Sequence, residues 1–315
     1  MTLKIVFCGT HAFALPSLRQ LIAQPDFRVV GVVTQPDRPR GRGGEMSASP
    51  VKEAALEAGI AVYQPEKIKS ESAHDYFKRV APDVAVIIAY GQIIPSSLIA
   101  IPRLGWINLH GSLLPKYRGA APVHWAVING ESRTGITTMQ IDSGLDTGPM
   151  LLKHEVSIGP DETSPELAAR LAEAGAPLIV ETLRTLDQGK IQPVAQNNSE
   201  ATFAPPLKKD DGRIDWSQSA QKIYNRIRGL QPWPGAFTNF RGQKCAIWGK
   251  PVPSAEAREM GALGTLATEA GDLLVACGES TALRLEFVQL EGRKRLAARE
   301  FANGARLTHG EQFQH

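Results

Sequence analysis

Short apolar runs alternate with amphipathic stretches over the first sixty residues: LKIVFC, then ALPSLRQLIA, then FRVVGVVT, then VKEAALEAG. Such strand–helix alternation demands a parallel sheet with helices packed on it, because parallel neighbours are joined by crossovers and a helix is the usual crossover. The pattern continues with strand candidates at Asp83 to Ala89, Trp106 to Leu109 and Gly135 to Ile141, and with helices near Pro65 to Arg79 and Ala120 to Asn129. The expected fold class is α/β: a Rossmann-like, doubly wound, mostly parallel sheet.

A long helix is expected from Ser164 to Leu186, capped by Thr163 or Ser164 with Pro165 in its first turn, and it closes a first domain of residues 1–189. Residues 190–209 turn rich in Pro, Asn and charge with weak periodicity, the mark of an extended linker. In residues 210–315 a helix from Ser217 to Gly229 precedes β-rich runs, KCAIWG, LLVACG and ALRLEFVQL, separated by Gly and Pro. These suit a smaller antiparallel β-barrel, OB-like in kind.

Composition removes several classes. With 43% hydrophobic and 21% charged residues, and no apolar run near about 20 residues, the chain is neither disordered nor membrane-spanning. The opening MTLKIVFCGT enters a strand at once, leaving no room for a signal peptide, so a cytoplasmic protein is expected. Cys8, Cys245 and Cys277 lack CxxC spacing and read as reduced packing residues; with no HExxH and scattered histidines, no metal is expected. No heptad or apolar stripe suggests an oligomer, so a monomer is expected. The net charge of +3 sits in the C-terminal third, which fits weak attraction to a phosphate backbone and equally a solvated face.

Chemistry concentrates in Gly105 to Pro122, GWINLHGSLLPKYRGAAP, a short apolar strand running into a Gly- and Pro-rich loop. Open parallel sheets bind ligands at the C-terminal ends of their strands. Residues two apart face one side, so Asn108 and His110 project together, an amide donor beside a titratable imidazole. Acyl transfer to an amine needs donors for the oxyanion of a tetrahedral intermediate and a group to handle the amine's proton. QIDSGLDTGPM (Gln140 to Met150) follows another strand and offers Asp142 and Asp146 as the carboxylate. Singly these signals are weak: a strand-end His is more often structural, and Asp beside Gly is usually a turn former.

Their order and joint spacing are more specific. Asn-x-His-x-Ser-Leu-Leu-Pro-x-x-Arg-Gly-x-x-Pro followed by Asp-x-Gly-x-Asp-Thr-Gly resembles the folate-dependent formyltransferases, and with the C-terminal β domain the whole chain resembles the branch that formylates charged initiator tRNA. The resemblance implies that Asn108, His110 and Asp146 are catalytic. It also implies that Ser112, Leu113, Leu114, Pro115, Tyr90, Gly91, Ile93, Ile94 and Asp142 form the site for the co-substrate 10-formyltetrahydrofolate. The methionine amine of initiator methionyl-tRNA would attack the N10-formyl carbon, Asn108 and His110 would hold the oxyanion, and Asp146 would tune His110 and help remove the proton. One departure stands in the first turn, Gly9-Thr10-His11-Ala12-Phe13-Ala14, where relatives carry Pro-x-Phe-Ala after Gly-Thr; His11 reads as structural.

Arg38, Arg40 and Arg42 alternate with Pro and Gly in the connection TQPDRPRGRGGEMSASP, a flexible loop able to reach phosphates or an unpaired base. The resemblance implies that this loop grips the tRNA acceptor arm and that Lys208 and Lys209 press on the same RNA; solvated surface is the bland reading of both. The runner-up is a formyltransferase acting on an amino-sugar nucleotide or other small amine. A hydrolase of formyltetrahydrofolate and an inactive RNA-binding relative are further readings.

Overall fold

The structure, a computed structural model, describes residues 2–40, 45–253 and 261–314. It divides into two units, Met1–Pro122 with Arg133–Ser157 and Leu167–Pro205, and Val123–Ser132 with Ile158–Glu166 and Pro206–His315.

The first unit is built on strands β1 (Leu3–Gly9), β2 (Phe27–Val33), β5 (Val62–Tyr63), β6 (Val84–Ile88), β7 (Trp106–His110), β8 (Arg133–Gln140) and β9 (Met150–Ser157), with a separate pair, β3 (Arg38–Arg40) and β4 (Glu45–Ser47). The seven-stranded order is β5-β2-β1-β6-β7-β8-β9, parallel as far as β7 and antiparallel beyond. The parallel strands thus run third, second, first, fourth, fifth, so the order reverses between β1 and β6. That is the switch point where open α/β sheets take ligands. The mostly parallel, Rossmann-like expectation holds. β9 escaped the sequence reading because its second half, Lys153-His154-Glu155, is polar and exposed, as suits the edge of a sheet.

Helices α1 (Leu15–Ile22), α2 (Pro50–Glu57), α3 (Glu71–Val80), α4 (Ser96–Ile99) and α6 (Ser164–Asp187) clothe this sheet, while α5 (Pro122–Ile128) falls almost wholly in the second unit. Residues 65–70, expected as helix, are not: Ser70 accepts the Ala73 N–H on its side chain and starts α3 there. β7 has two faces with different partners. Leu109 packs so close to α6 that a Cβ on Gly175 would come within 2.5 Å of it. On the other face Trp106 packs tilted against Phe77 of α3, ring centres 5.0 Å apart, and donates its indole N–H to Leu98 O of α4 at 2.9 Å. Beyond Trp106 this face carries Asn108 and His110.

The second unit holds α7 (Ala220–Gly229), then β10 (Phe237–Phe240), β11 (Gln243–Val252), β12 (Leu266–Glu269), β13 (Asp272–Cys277), β14 (Thr281–Leu290), β15 (Leu296–Ala297) and α8 (Ala298–Ala305). The antiparallel path is β10-β11-β14-β13-β12, with β15 on β14. The tail joins its two ends: Gln314 bonds reciprocally with Asn239 of β10, while Leu266 N–H donates to Glu311 O and Phe313 N–H to Gly264 O. Trp216, Phe240, Phe301 and Phe313 fill the interior. Cys8, Cys245 and Cys277 are free and buried; burial pushes the Cys245 and Cys277 thiols up to about 12. Among the described residues no helix is long and apolar enough to cross a membrane.

Candidate active site

The switch point is tied by polar side chains. Thr10, just past β1, donates its hydroxyl to Tyr90 O at 3.0 Å, and Gln35 Nε2 donates to the same carbonyl at 3.2 Å. Gln92 Nε2 reaches Gln35 Oε1 at 3.2 Å, while its own Oε1 accepts the Ile68 N–H at 2.7 Å. The segment after β6 is thereby held open, with left-handed Ala89 (φ 46) and Gly91 (φ 91) reversing the chain. Tyr90 and Ile94 turn into the core, whereas Ile93 is 86% exposed. The buried Tyr90 hydroxyl has no hydrogen-bond partner among the described residues, and burial raises its pKa well above the ordinary range for tyrosine.

On the next strand, His110 is buried and its Nε2 lies 2.9 Å from Tyr117 O. A carbonyl can only accept, so Nε2 carries a proton and Nδ1 is the nitrogen left to face its surroundings. Nδ1 lies 3.7 Å from Asp146 Oδ2. That oxygen already accepts the Gly119 N–H at 2.9 Å, while no described residue donates to Oδ1. Asn108, half-buried on the same face of β7, has no side-chain hydrogen bond among the described residues. The imidazole and a carboxylate therefore meet at the end of β7, with Asn108 two residues earlier on the same face of the strand.

Of the two candidate aspartates, only Asp146 meets His110. Asp142 turns its carboxylate into its own loop, onto Thr147 Oγ1 at 2.8 Å and Gly144 N at 3.0 Å, and so shapes the turn that carries Asp146. Tyr117 and Asp146 are themselves left-handed (φ 59 and 51). Each such residue costs on the order of 1–3 kcal/mol and persists only where its surroundings impose it.

The Ser112–Pro115 turn is more inward-looking than its motif suggests. Ser112 Oγ closes the turn on Lys116 O at 2.6 Å, and Leu114 is buried against Met139 and Met150. Thr137 of β8 holds both flanks, donating to Ser112 O at 2.8 Å and accepting Leu114 N–H at 3.1 Å. Lys153, exposed along its stem, donates to Leu114 O at 2.5 Å, and partial desolvation of its ammonium lowers its pKa. Leu113 and Pro115 are half-buried, and His11 is exposed at the start of the first turn.

Residues missed in the sequence come from the stretch read as a linker. Arg118, 4% exposed, donates Nε to Gln196 Oε1 and a terminal nitrogen to Asn198 Oδ1, both at 2.9 Å. Gln196 Nε2 in turn donates to Asp146 O at 2.7 Å and Gly148 O at 2.8 Å. Arg118 also pairs by its backbone with Thr202 and Ala204. No sequence signal marks these partners, which lie some eighty positions from Arg118.

The Arg-rich connection is not a plain loop: Arg38 pairs with Ser47, Pro39 with Met46 and Arg40 with Glu45. The base is stapled by a buried Thr34–Ser49 hydroxyl pair at 2.8 Å and by the Lys52–Asp37 ion pair, which Gln64 joins. Arg38 is exposed; Arg42 lies outside the described residues. Lys208 and Lys209 are exposed and followed at once by Asp210 and Asp211. Among the described residues no group of three or more His, Cys, Asp or Glu could hold a metal ion.

Residues 3–183 match the formyl transferase family model and residues 206–306 the formyl transferase C-terminal domain. The chain is 54% identical over 312 residues to the methionyl-tRNA formyltransferase of Solibacter usitatus, covering 99% of this chain and 98% of that one. It is 53% identical to that of Koribacter versatilis, covering 96% of each. Among solved structures, an N-formyltransferase from Helicobacter canadensis superposes with a TM-score of 0.64 at 15% identity, over 90% of this chain and 99% of that one, a likeness of fold. The chain belongs to the formyl transferase family, in its methionyl-tRNA formyltransferase branch.

Proposed function

We propose that this chain transfers the formyl group of 10-formyltetrahydrofolate to the amino group of methionyl initiator tRNA, in the cytoplasm, for translation initiation. The observation that carries the reading is the approach of His110 Nδ1 to the Asp146 carboxylate, 3.7 Å, beside the Asn108 amide; the full-length relatives support the choice of acceptor.

The amine nitrogen attacks the formyl carbon and its electron pair forms the new C–N bond. The carbonyl oxygen becomes an oxyanion, which the Asn108 amide and the His110 ring stabilise. Because Nε2 is engaged by Tyr117, both duties of His110, toward the oxyanion and toward Asp146, fall on Nδ1. Asp146 Oδ1 takes the amine's proton, the C–N10 bond breaks, and the proton passes to the departing N10, so charge and atoms balance. The co-substrate lies along Tyr90, Gly91, Ile93 and Ile94, where exposed Ile93 offers apolar surface. In the Ser112–Pro115 turn, Leu113 and Pro115 line the site, while Ser112 and Leu114 set the shape of the turn from within.

Arg38, Arg40 and Arg42 of the Arg-rich connection contact the acceptor arm, and Lys208 and Lys209 add phosphate contacts. The test is transfer from 10-formyltetrahydrofolate with methionyl initiator tRNA, free methionine, an amino-sugar nucleotide or no acceptor. Transfer confined to the charged tRNA is expected. Preferred transfer to the sugar nucleotide, or formate release without acceptor, overturns the proposal.

A further inference from the structure

The Asp146 turn is held from outside as well as from within. Asp146 is left-handed (φ 51), a conformation that a non-glycine residue keeps only under constraint. Gly119 N–H fixes its carboxylate, and Asp142 orders the loop on the other side. A further constraint, placed directly on the backbone of the turn, is the Gln196 amide, which directs both its protons to the carbonyls that flank Thr147, those of Asp146 and Gly148.

Its orientation is not ambiguous. Arg118 has only donors, so the oxygen of Gln196 must face Arg118 Nε and the nitrogen must face the turn. Arg118 is in turn buried and anchored on Asn198, close to Gln196 on the same segment.

We infer that Gln196 is a positioning residue for formyl transfer: its amide clamps the Asp146–Gly148 turn and so holds the Asp146 carboxylate within reach of His110 Nδ1. This rests on the reading of Asp146 as catalytic and adds a residue from the stretch that follows α6. Without the clamp the two carbonyls lose their donor, Asp146 relaxes from the left-handed region, and its carboxylate leaves the 3.7 Å approach to the ring. Neither substrate need touch Gln196, so the loss belongs in turnover and not in binding.

Gln196→Glu is the sharpest variant. It keeps length and the contact with Arg118, strengthened to an ion pair, yet replaces the donor with a carboxylate facing two carbonyls. Gln196→Ala removes the donor without adding charge and serves if the first variant fails to fold. Steady-state formyl transfer is measured for each in the native background and with Asp146→Asn. In the native background kcat falls about 10- to 100-fold, the scale of a displaced reacting group, with KM for tRNA and folate within about twofold. In the Asp146→Asn background the same change costs under about threefold, because residues acting through one another are not additive. An equal cost in both backgrounds, or a change confined to KM, overturns the clamp. Full turnover by Asp146→Asn alone overturns the assignment of Asp146 and the clamp with it, so the two failures are distinct.

Discussion

At Gly119 the loop after β7 runs close against the stretch after α6, and replacing it by alanine tests whether that approach matters. Its φ is 120°, in the left-handed range that favours glycine, so alanine costs about 1–3 kcal/mol before any clash. A Cβ there would lie 2.7 Å from Ala204 O, against 3.4 Å for ordinary contact, so the two backbones must part by about 0.7 Å. Ala204 is tied to both sides of Gly119, since its N–H donates to Arg118 O at 2.7 Å and its oxygen accepts the Ala121 N–H at 3.1 Å, so the strain falls on Gly119 between them. A displacement of Gly119 by about 0.7 Å away from Asp146 would stretch its 2.9 Å bond to Oδ2 past hydrogen-bonding range. The expected outcome for Gly119→Ala is a kcat lower by about 10- to 100-fold, with stability lower by about 2 kcal/mol. Steady-state formyl transfer and urea denaturation measure the two. Unchanged turnover in a destabilised protein refutes the link from Gly119 to Asp146, and no change in either refutes the steric argument.

Three further outcomes follow from the structure. Thr182 donates to Leu178 O at 2.7 Å and pairs with the Thr138 hydroxyl at 2.9 Å in a buried contact, so Thr182→Val leaves Thr138 only the Leu152 backbone, at 3.0 and 3.4 Å, and lowers unfolding stability by about 1 kcal/mol at unchanged kcat; equal urea midpoints count against it. Hydrogen bonds from Tyr224 and Lys250 hold the Asp161 carboxyl below its ordinary 3.8. A depressed carboxyl stabilises above its unfolded value and loses that contribution as pH falls through its native one, so Asp161→Asn is less stable than wild type at pH 7 and the gap closes below about pH 4; a gap independent of pH contradicts this. Arg38→Ala removes one hairpin cation, raises KM for tRNA, and flattens its logarithmic salt dependence by about 0.7 to 0.9 for each phosphate that the guanidinium neutralises; an unaltered slope argues that Arg38 does not meet the RNA.

What the sequence disclosed divides along a physical line. Strands such as β1 and β2 and the long α6 were legible because burial against a sheet imposes periodicity on neighbouring residues. The pairing of Asn108 with His110 was legible for the same reason, since the two-residue repeat of a strand puts both on one face. Asp146 was separable from Asp142 only by resemblance; in the structure the difference is that Asp142 bonds within its own loop while Asp146 faces the ring. The supports stayed hidden because they join distant positions: Arg118 to Gln196, Tyr117 to Thr202, Gly119 to Ala204. Composition marked that stretch as a linker, since its residues are mostly exposed and several bond to the loop after β7 instead of in a repeating pattern. The β3–β4 pair was hidden because its strands are only three residues each, with Pro39 inside one of them and three glycines in the sequence between them.

The most direct test of the account is the single-turnover rate of formyl transfer to methionyl initiator tRNA by Asn108→Ala, His110→Ala and Asp146→Asn, each compared with wild type at saturating 10-formyltetrahydrofolate. The account predicts a loss of at least about 100-fold for each, with tRNA binding retained and the folded state intact by circular dichroism. A folded variant of any of the three that transfers the formyl group within about threefold of the wild-type rate contradicts the assignment of that group to the chemistry.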